Sequence, residues 1–310
     1  MNPFTDNPAS SLSALGEERL IAAIRGWLGK ACPKAPFGIG DDCAVLPPGS
    51  SAQLLTVDPV IYGEHFDDKV PAIWAGEKLF KRNLSDIAAM GGRPRAAVVS
   101  LALDSRVKLS WLRAFYQGLA KVSLRYGVPL VGGDIAHHKG GIIATLTLVG
   151  EQTPGGRVLT RQGAEKGDWI YITGCLGRSL PSRHHYRFEP RLGEGSWLSR
   201  RIEIKSMMDV SDGLAKDLRA LTPRGCVPAI EPVAIPARQK ASLREMLCDG
   251  EDYELVFSVD ADAPLDCFER DFKEAFPKTK LSLLGRFVST GHLPASAVPL
   301  SDYHGFEHLR

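Results

Sequence analysis

Long apolar runs are missing from this chain. None of its hydrophobic stretches approaches the roughly 20 residues a membrane-spanning helix needs, and the N-terminus carries no apolar stretch resembling a secretion signal. Cysteine is sparse, with six residues (Cys32, Cys43, Cys175, Cys226, Cys248 and Cys267) among 310. None forms a Cys-x-x-Cys pair, so neither a zinc site nor a dithiol redox motif is indicated, and reduced thiols in a cytoplasmic protein are the expectation. Excess charge is also missing: the formal net charge of +2 is too small to imply nucleic-acid binding. There is no Gly-x-x-x-x-Gly-Lys-Ser/Thr loop, nor a Gly-x-Gly-x-x-Gly turn between strand and helix. A P-loop ATPase and a Rossmann dehydrogenase are therefore unsupported.

What is present is carboxylate in apolar settings. The run from Phe37 to Leu46 sets Asp41 and Asp42 between a glycine-rich turn and an apolar segment. Asp58 follows Gln53–Val57, Asp134 follows Val128–Gly133, and Asp209 and Asp212 follow Ser206–Met208. Each reads as a short strand ending in a carboxylate, the position from which open α/β folds commonly present ligand groups. A single Asp-Gly or Gly-Asp is ordinary turn chemistry; six or seven together point to a site. Asp86 differs from the rest. Apolar residues from Ile73 to Met90 recur at helical spacing until Gly91, Gly92 and Pro94, so 72–90 reads as an amphipathic helix. Asn83 and Asp86, three apart on it, share a face beside the apolar stripe. A half-buried carboxylate is costly unless paired or metal-bound, and an all-oxygen donor set favours magnesium or calcium over zinc.

Strand signals at Ile142–Val149 and Trp169–Thr173 flank a Pro- and Gly-containing stretch, which sets an expected boundary near 155: an N-terminal domain over 1–155 and a C-terminal α/β domain over 156–310. At 44% hydrophobic content the chain is long enough for two cores. Strands interleaved with helical patterns in both halves indicate an α/β or α+β architecture. The Arg-rich stretch from Arg178 to Lys205 reads as a solvated, mobile loop.

Taken in order, these segments resemble a known motif series: Gly38 to Val45, Gly63 to Phe66, Asn83 to Gly91, Gly132 to Asp134, Leu159 to Gly163, Asp209 to Leu214 and Gly250 to Leu255. The series is that of the thiamine-monophosphate kinase family, within the superfamily of aminoimidazole ribonucleotide synthetase, selenophosphate synthetase and the hydrogenase-maturation dehydratase. The resemblance runs from about residue 14 to the C-terminus. It implies a two-domain fold like aminoimidazole ribonucleotide synthetase, with an N-terminal sheet domain that binds ATP and metal and pairs across a homodimer. The implied reaction is ATP-dependent phosphorylation of thiamine monophosphate, with magnesium ions and no covalent nucleophile. The implied metal ligands are Asp41, Asp42, Asp58, Asp86, Asp134, Asp209 and Asp212. Tyr116, Gly133, Asp134, Arg161 and Ser211 match ATP-contacting positions; His65, Glu251 and Phe306 match positions against the thiamine phosphate. Read without the resemblance, Tyr116 is a packing residue of an amphipathic helix, Phe306 a terminal hydrophobe and His65 a loop histidine.

The chain also departs from the family pattern. Val57 precedes Asp58 where the family has threonine, and Ile135-Ala136-His137 stands where it has Thr-Thr-Arg, with His138 and Lys139 as nearby replacements for the lost positive charge. These departures leave two alternatives beside thiamine monophosphate: another small metabolite as phosphoryl acceptor, or a catalytically silent sensor of nucleotide or thiamine phosphate.

Overall fold

The computed structural model describes residues 2–11, 17–33 and 51–306. Two compact units divide the chain, the first comprising residues 1–84 and 94–151, the second 85–93 and 152–310.

In chain order the first unit contributes α1 (Glu17–Leu28), β1 (Gln53–Ile61), α2 (Ala72–Ala89), β2 (Gly92–Leu103), α3 (Leu109–Tyr126), β3 (Leu130–His137) and β4 (Ile142–Gln152). α2 and β2 run across the boundaries of the second unit's short insert. The sheet has the order β1-β4-β2-β3, with β1 antiparallel to β4 and β2 parallel to β3. Alternate residues of β4 (Ile142, Ala144, Leu146 and Leu148) are buried, as expected of a strand with one face on the core. α2 buries Ala75, Leu79, Phe80 and Leu84 at the spacing that predicts a helix over 72–90. α2 and α3 touch backbone to backbone. A Cβ on Gly76 would collide with the Phe115 carbonyl, and one on Gly118 with the Ile73 carbonyl.

The second unit adds β5 (Trp169–Thr173), α4 (His184–Arg187), α5 (Leu192–Leu198), β6 (Ile204–Asp209), α6 (Leu214–Leu221), β7 (Cys226–Ile230), α7 (Leu243–Cys248), β8 (Leu255–Val259), α8 (Leu265–Ala275) and β9 (Leu281–Ser289). Its sheet order is β6-β8-β5-β9-β7, and every neighbouring pair is antiparallel. Successive side chains of β5 serve two cores. Ile170 and Ile172 join Leu214, Leu218 and Leu247 beneath α6 and α7, while Tyr171 joins Phe257, Phe268 and Leu198 beneath α8 and α5. Both faces of this sheet are therefore covered, which is why β8 is buried along its whole length.

Two sequence expectations are corrected. Asp58 and Asp134 lie inside β1 and β3, not at strand ends; the short apolar runs before them are only the first halves of longer strands. The 178–205 segment is not a solvated loop. It forms α4, α5 and the start of β6 and buries His185, Tyr186, Phe188, Glu194 and Leu198, because apolar residues alternate with its arginines and acidic partners take up its charge.

The α2–α3 contact yields a stability test. Gly118→Ala forces a methyl group into a backbone carbonyl, so urea unfolding should show a loss of about 1–3 kcal/mol; an unchanged midpoint would mean that the helices are not this close.

Candidate functional site

The residues singled out by sequence divide between the units. In the first, Asp58 is half-buried on β1 and lies 3.4 Å from an Arg82 guanidinium nitrogen. His65 sits in the turn after β1, where its Nδ1 accepts from the Ile61 N–H at 3.2 Å and its carbonyl accepts from Lys78 Nζ at 2.8 Å. Tyr116 is buried in α3 against Phe115 and Trp27, and burial raises its phenol well above the ordinary range. Gly133 and Asp134 are exposed on β3. Only glycine fits at 133, since a Cβ there would strike the Val99 carbonyl of β2. Asn83 is fully buried; its amide N–H donates to the Leu79 carbonyl at 3.0 Å, while its Oδ1 has no partner.

The second unit brings three separate chain segments together. β6 and β8 are paired, and their ladder continues past the strand ends: Val210 N–H donates to the Glu254 carbonyl at 2.8 Å, Tyr253 N–H to the Val210 carbonyl at 2.8 Å, and Glu251 N–H to the Ser211 carbonyl at 2.7 Å. The Asp209–Gly213 loop and the Gly250–Leu255 loop are thereby woven together. The C-terminal segment completes the junction, with Phe306 N–H donating to the Asp212 carbonyl at 2.8 Å. Lys216 on the first turn of α6 reaches both Asp212 Oδ2 at 2.6 Å and the Phe306 carbonyl at 2.7 Å. Asp209, Ser211, Asp212, Glu251 and Phe306 thus share one neighbourhood. Asp86, also in this unit, is half-buried on α2, and Arg161 is exposed on the segment before β5. Asp41 and Asp42 lie outside the described residues.

Several residues that hold this neighbourhood are not evident from sequence. Ser85 donates to the buried Asp209 carboxylate at 2.7 Å. Asp217 accepts the Ser211 and Asp212 N–H groups, each at 3.0 Å, fixing the loop from the first turn of the helix it precedes. Burial pushes Asp217 up to about 7, and the charges of Asp209 and Asp212 add to the shift. The second loop is held in a strained form, with Glu251 and Tyr253 in the left-handed region at φ 65° and 51°. Fully buried Asp252 accepts from Arg238 and from the Gly177 N–H. Arg191 grips Glu254 with two N–H groups at 2.7 and 2.8 Å, and Tyr253 stacks on Phe188 at 3.9 Å. The arginine partners, 14 and 63 residues distant from the carboxylates they hold, leave no signal in the sequence.

The donors at Asp209, Ser211 and Asp212 are all oxygen, which is the chemistry that suits a hard divalent cation. Among the described residues, no three His, Cys, Asp or Glu side chains converge as a ready metal site. Asp58, by contrast, lies beside the Arg82 guanidinium.

Residues 40–152 match the family model described as AIR synthase related protein, N-terminal domain. Thiamine-monophosphate kinase of Rhodopirellula baltica is 34% identical over 264 residues, covering 78% of this chain and 82% of that protein. The chain belongs to the thiamine-monophosphate kinase family. The family's Escherichia coli K12 protein is 33% identical over 79% of this chain and 83% of its own length. Among solved structures, thiamine-monophosphate kinase from Stenotrophomonas maltophilia K279a is similar at TM-score 0.74 and 27% identity, covering 92% of this chain and 98% of that one. "AaThiL complexed with AMPPCP and TMP" is similar at TM-score 0.70 and 27% identity, covering 96% and 98%. The two-unit mixed α/β architecture is thus that of thiamine-monophosphate kinases. No helix among the described residues is long and apolar enough to cross a membrane, and the described cysteines are free thiols.

The loop support makes a pH prediction. His184 donates through Nε2 to the Asp252 carbonyl at 2.8 Å. Burial lowers its pKa to about 4, and the charges of Arg238, Arg191 and His185 push the same way. The unfolded chain takes up this proton near pH 6.5 but the folded chain only near 4. Unfolding between those values therefore absorbs a proton, so this contribution to stability is complete above about 6.5 and is lost as pH falls toward 4. His184→Gln keeps an N–H donor and removes the titration. The difference in urea unfolding free energy between wild type and variant should rise from pH 4 to 6.5 and stay flat above 7; a pH-independent difference would contradict a neutral buried His184.

Proposed function

We infer that this protein phosphorylates thiamine monophosphate to thiamine diphosphate with ATP, by direct in-line transfer. The observation that carries the reading is the junction in the second unit, where the Asp209 loop, the Glu251 loop and Phe306 are joined by backbone hydrogen bonds. Oxygen donors and an exposed aromatic ring on one junction support the reading, in a chain 34% identical to a thiamine-monophosphate kinase over 78% of its length. The acceptor is a phosphate oxygen already ionised at neutral pH, so no side-chain nucleophile or strong base is required. What the reaction needs is two anionic groups held in line with their repulsion offset.

On this reading Asp86, Asp134, Asp209 and Asp212 hold magnesium, with Asp41 and Asp42 in the same role. Bound magnesium would neutralise phosphate oxygens and orient the transferring group. Ser211, Gly133, Arg161 and Tyr116 serve the ATP side. At Gly133 the lack of a side chain lets β2 and β3 approach closely while Asp134 stays exposed. Glu251 and His65 contact the thiamine phosphate, and the Phe306 ring, 51% exposed, stacks on the cationic thiazolium or its attached ring. The protein works as a cytoplasmic homodimer. Support for pairing comes from β1, an edge strand whose outer face leaves Leu55 and Val57 74% and 58% exposed.

Mass spectrometry after incubation with ATP, magnesium and thiamine monophosphate should find thiamine diphosphate, and EDTA should stop its formation. Asp86→Asn should abolish turnover while the protein still unfolds cooperatively. Nucleotide binding without any product would favour the sensor reading, which the lost hydroxyls at Val57, Ile135 and Ala136 support. Product from another phosphorylated metabolite would reassign the acceptor.

Phe306→Ala separates a stacking role from a supporting one. Binding of thiamine monophosphate should weaken by about 1–2 kcal/mol, with a much smaller change for ATP, by titration calorimetry. Equal losses for both ligands would mean that the C-terminus only supports the fold.

A further inference from the structure

Asp58 has a cation at its side supplied by the chain itself. Arg82, on α2, places a guanidinium nitrogen 3.4 Å from Asp58 Oδ1, and its other terminal nitrogen donates to the Pro59 carbonyl at 2.6 Å. The arginine side chain is only 10% exposed and the carboxylate 26%, so neither charge is well solvated alone. This differs from the Lys216–Asp212 pair, where the lysine is 37% exposed on a flexible stem and can swing away from its carboxylate. A guanidinium pinned by a second hydrogen bond inside the fold cannot do so without leaving a buried charge unpaired.

The surroundings of Asp58 point the same way. On β1 it faces Leu146 of β4 directly, with Leu148 and Ala144 opposite its same-face neighbours Thr56 and Val60. All three β4 side chains are buried and none has an oxygen. Val57 is its neighbour in sequence, but adjacent strand residues point to opposite faces, and Val57 has no ligating oxygen in any case. Magnesium requires near-octahedral oxygen coordination, and among the described residues the β4 side chains facing Asp58 offer none.

We propose that Arg82 takes the cationic place at Asp58, so that in this chain Asp58 is not a metal ligand but the anchor of a fixed arginine charge. The proposal rests on the kinase reading only for the expectation that a metal would otherwise be bound there. Arg82 is a positioning residue: together with Asp58 it fixes the side of α2 against β1 one residue before Asn83.

The test counts metal ions on the full chain, using Mn2+ as the probe with a non-hydrolysable ATP analogue, by paramagnetic resonance and calorimetry. Asp58→Asn should leave Mn2+ stoichiometry unchanged and affinity within about twofold, whereas Asp209→Asn should weaken affinity about tenfold or more. Arg82→Gln should free Asp58, raising the stoichiometry or tightening binding, and adding Asp58→Asn should reverse that gain. Arg82→Lys keeps the charge but on a stem that can swing aside, so its gain should be smaller than that of Arg82→Gln. Loss of an ion or about tenfold weaker binding in Asp58→Asn alone overturns the proposal, as does unchanged binding in a folded Arg82→Gln protein. If Arg82→Gln melts early, the Asp58→Asn comparison decides. The kinase reading fails separately, through absence of thiamine diphosphate in the product assay.

Discussion

The antiparallel pairing of β6 with β8 is the constraint on which the second unit's chemistry depends. Its ladder does not stop at the strand ends but runs on through Val210, Ser211, Glu251 and Tyr253. Two loops that lie some 40 residues apart in sequence are thereby held at hydrogen-bond distance through the backbone. The buried pairs around the Glu251 loop follow from this. A segment forced into left-handed backbone at two non-glycine residues is stable only if its surroundings fix it on several sides. His184, Phe188 and Arg191 do so from one stretch of the chain and Arg238 from another.

Charge is handled differently in the two units. In the second, burial and the charges of Asp209 and Asp212 raise the cost of ionising Asp217, an arrangement that favours an external cation. In the first, the half-buried Asp58 is answered by an internal arginine. The same residue type, in similar sequence settings, thus has two electrostatic fates, decided by what the opposite element offers.

Much of this was legible in the sequence. The ordered motifs carried the family, the helical spacing carried α2, and the flanking strands carried β4 and β5, because in each case the signal is local. What failed was the reading of Asp58 and Asp134 as strand ends: a polar residue inside an edge strand looks like a terminus when only the apolar half is counted. The Arg178–Lys205 segment was misread for a related reason. Charge density is visible in sequence, but the carboxylates that neutralise it, such as Glu254 for Arg191, lie far away along the chain. Arg82 carried no signal either, since its partner is on a different element 24 residues earlier.

The stapled Glu251 loop also bears on how the chain folds. Asp252 is bound by Gly177, 75 residues away, and Glu254 by Arg191, 63 residues away. Contacts of such separation must wait for long loops to close and are made late. The sheet pairings are just as distant, Trp169 lying opposite Val259 and Arg286, so the strained turn should lock into place together with the strands it joins rather than before them.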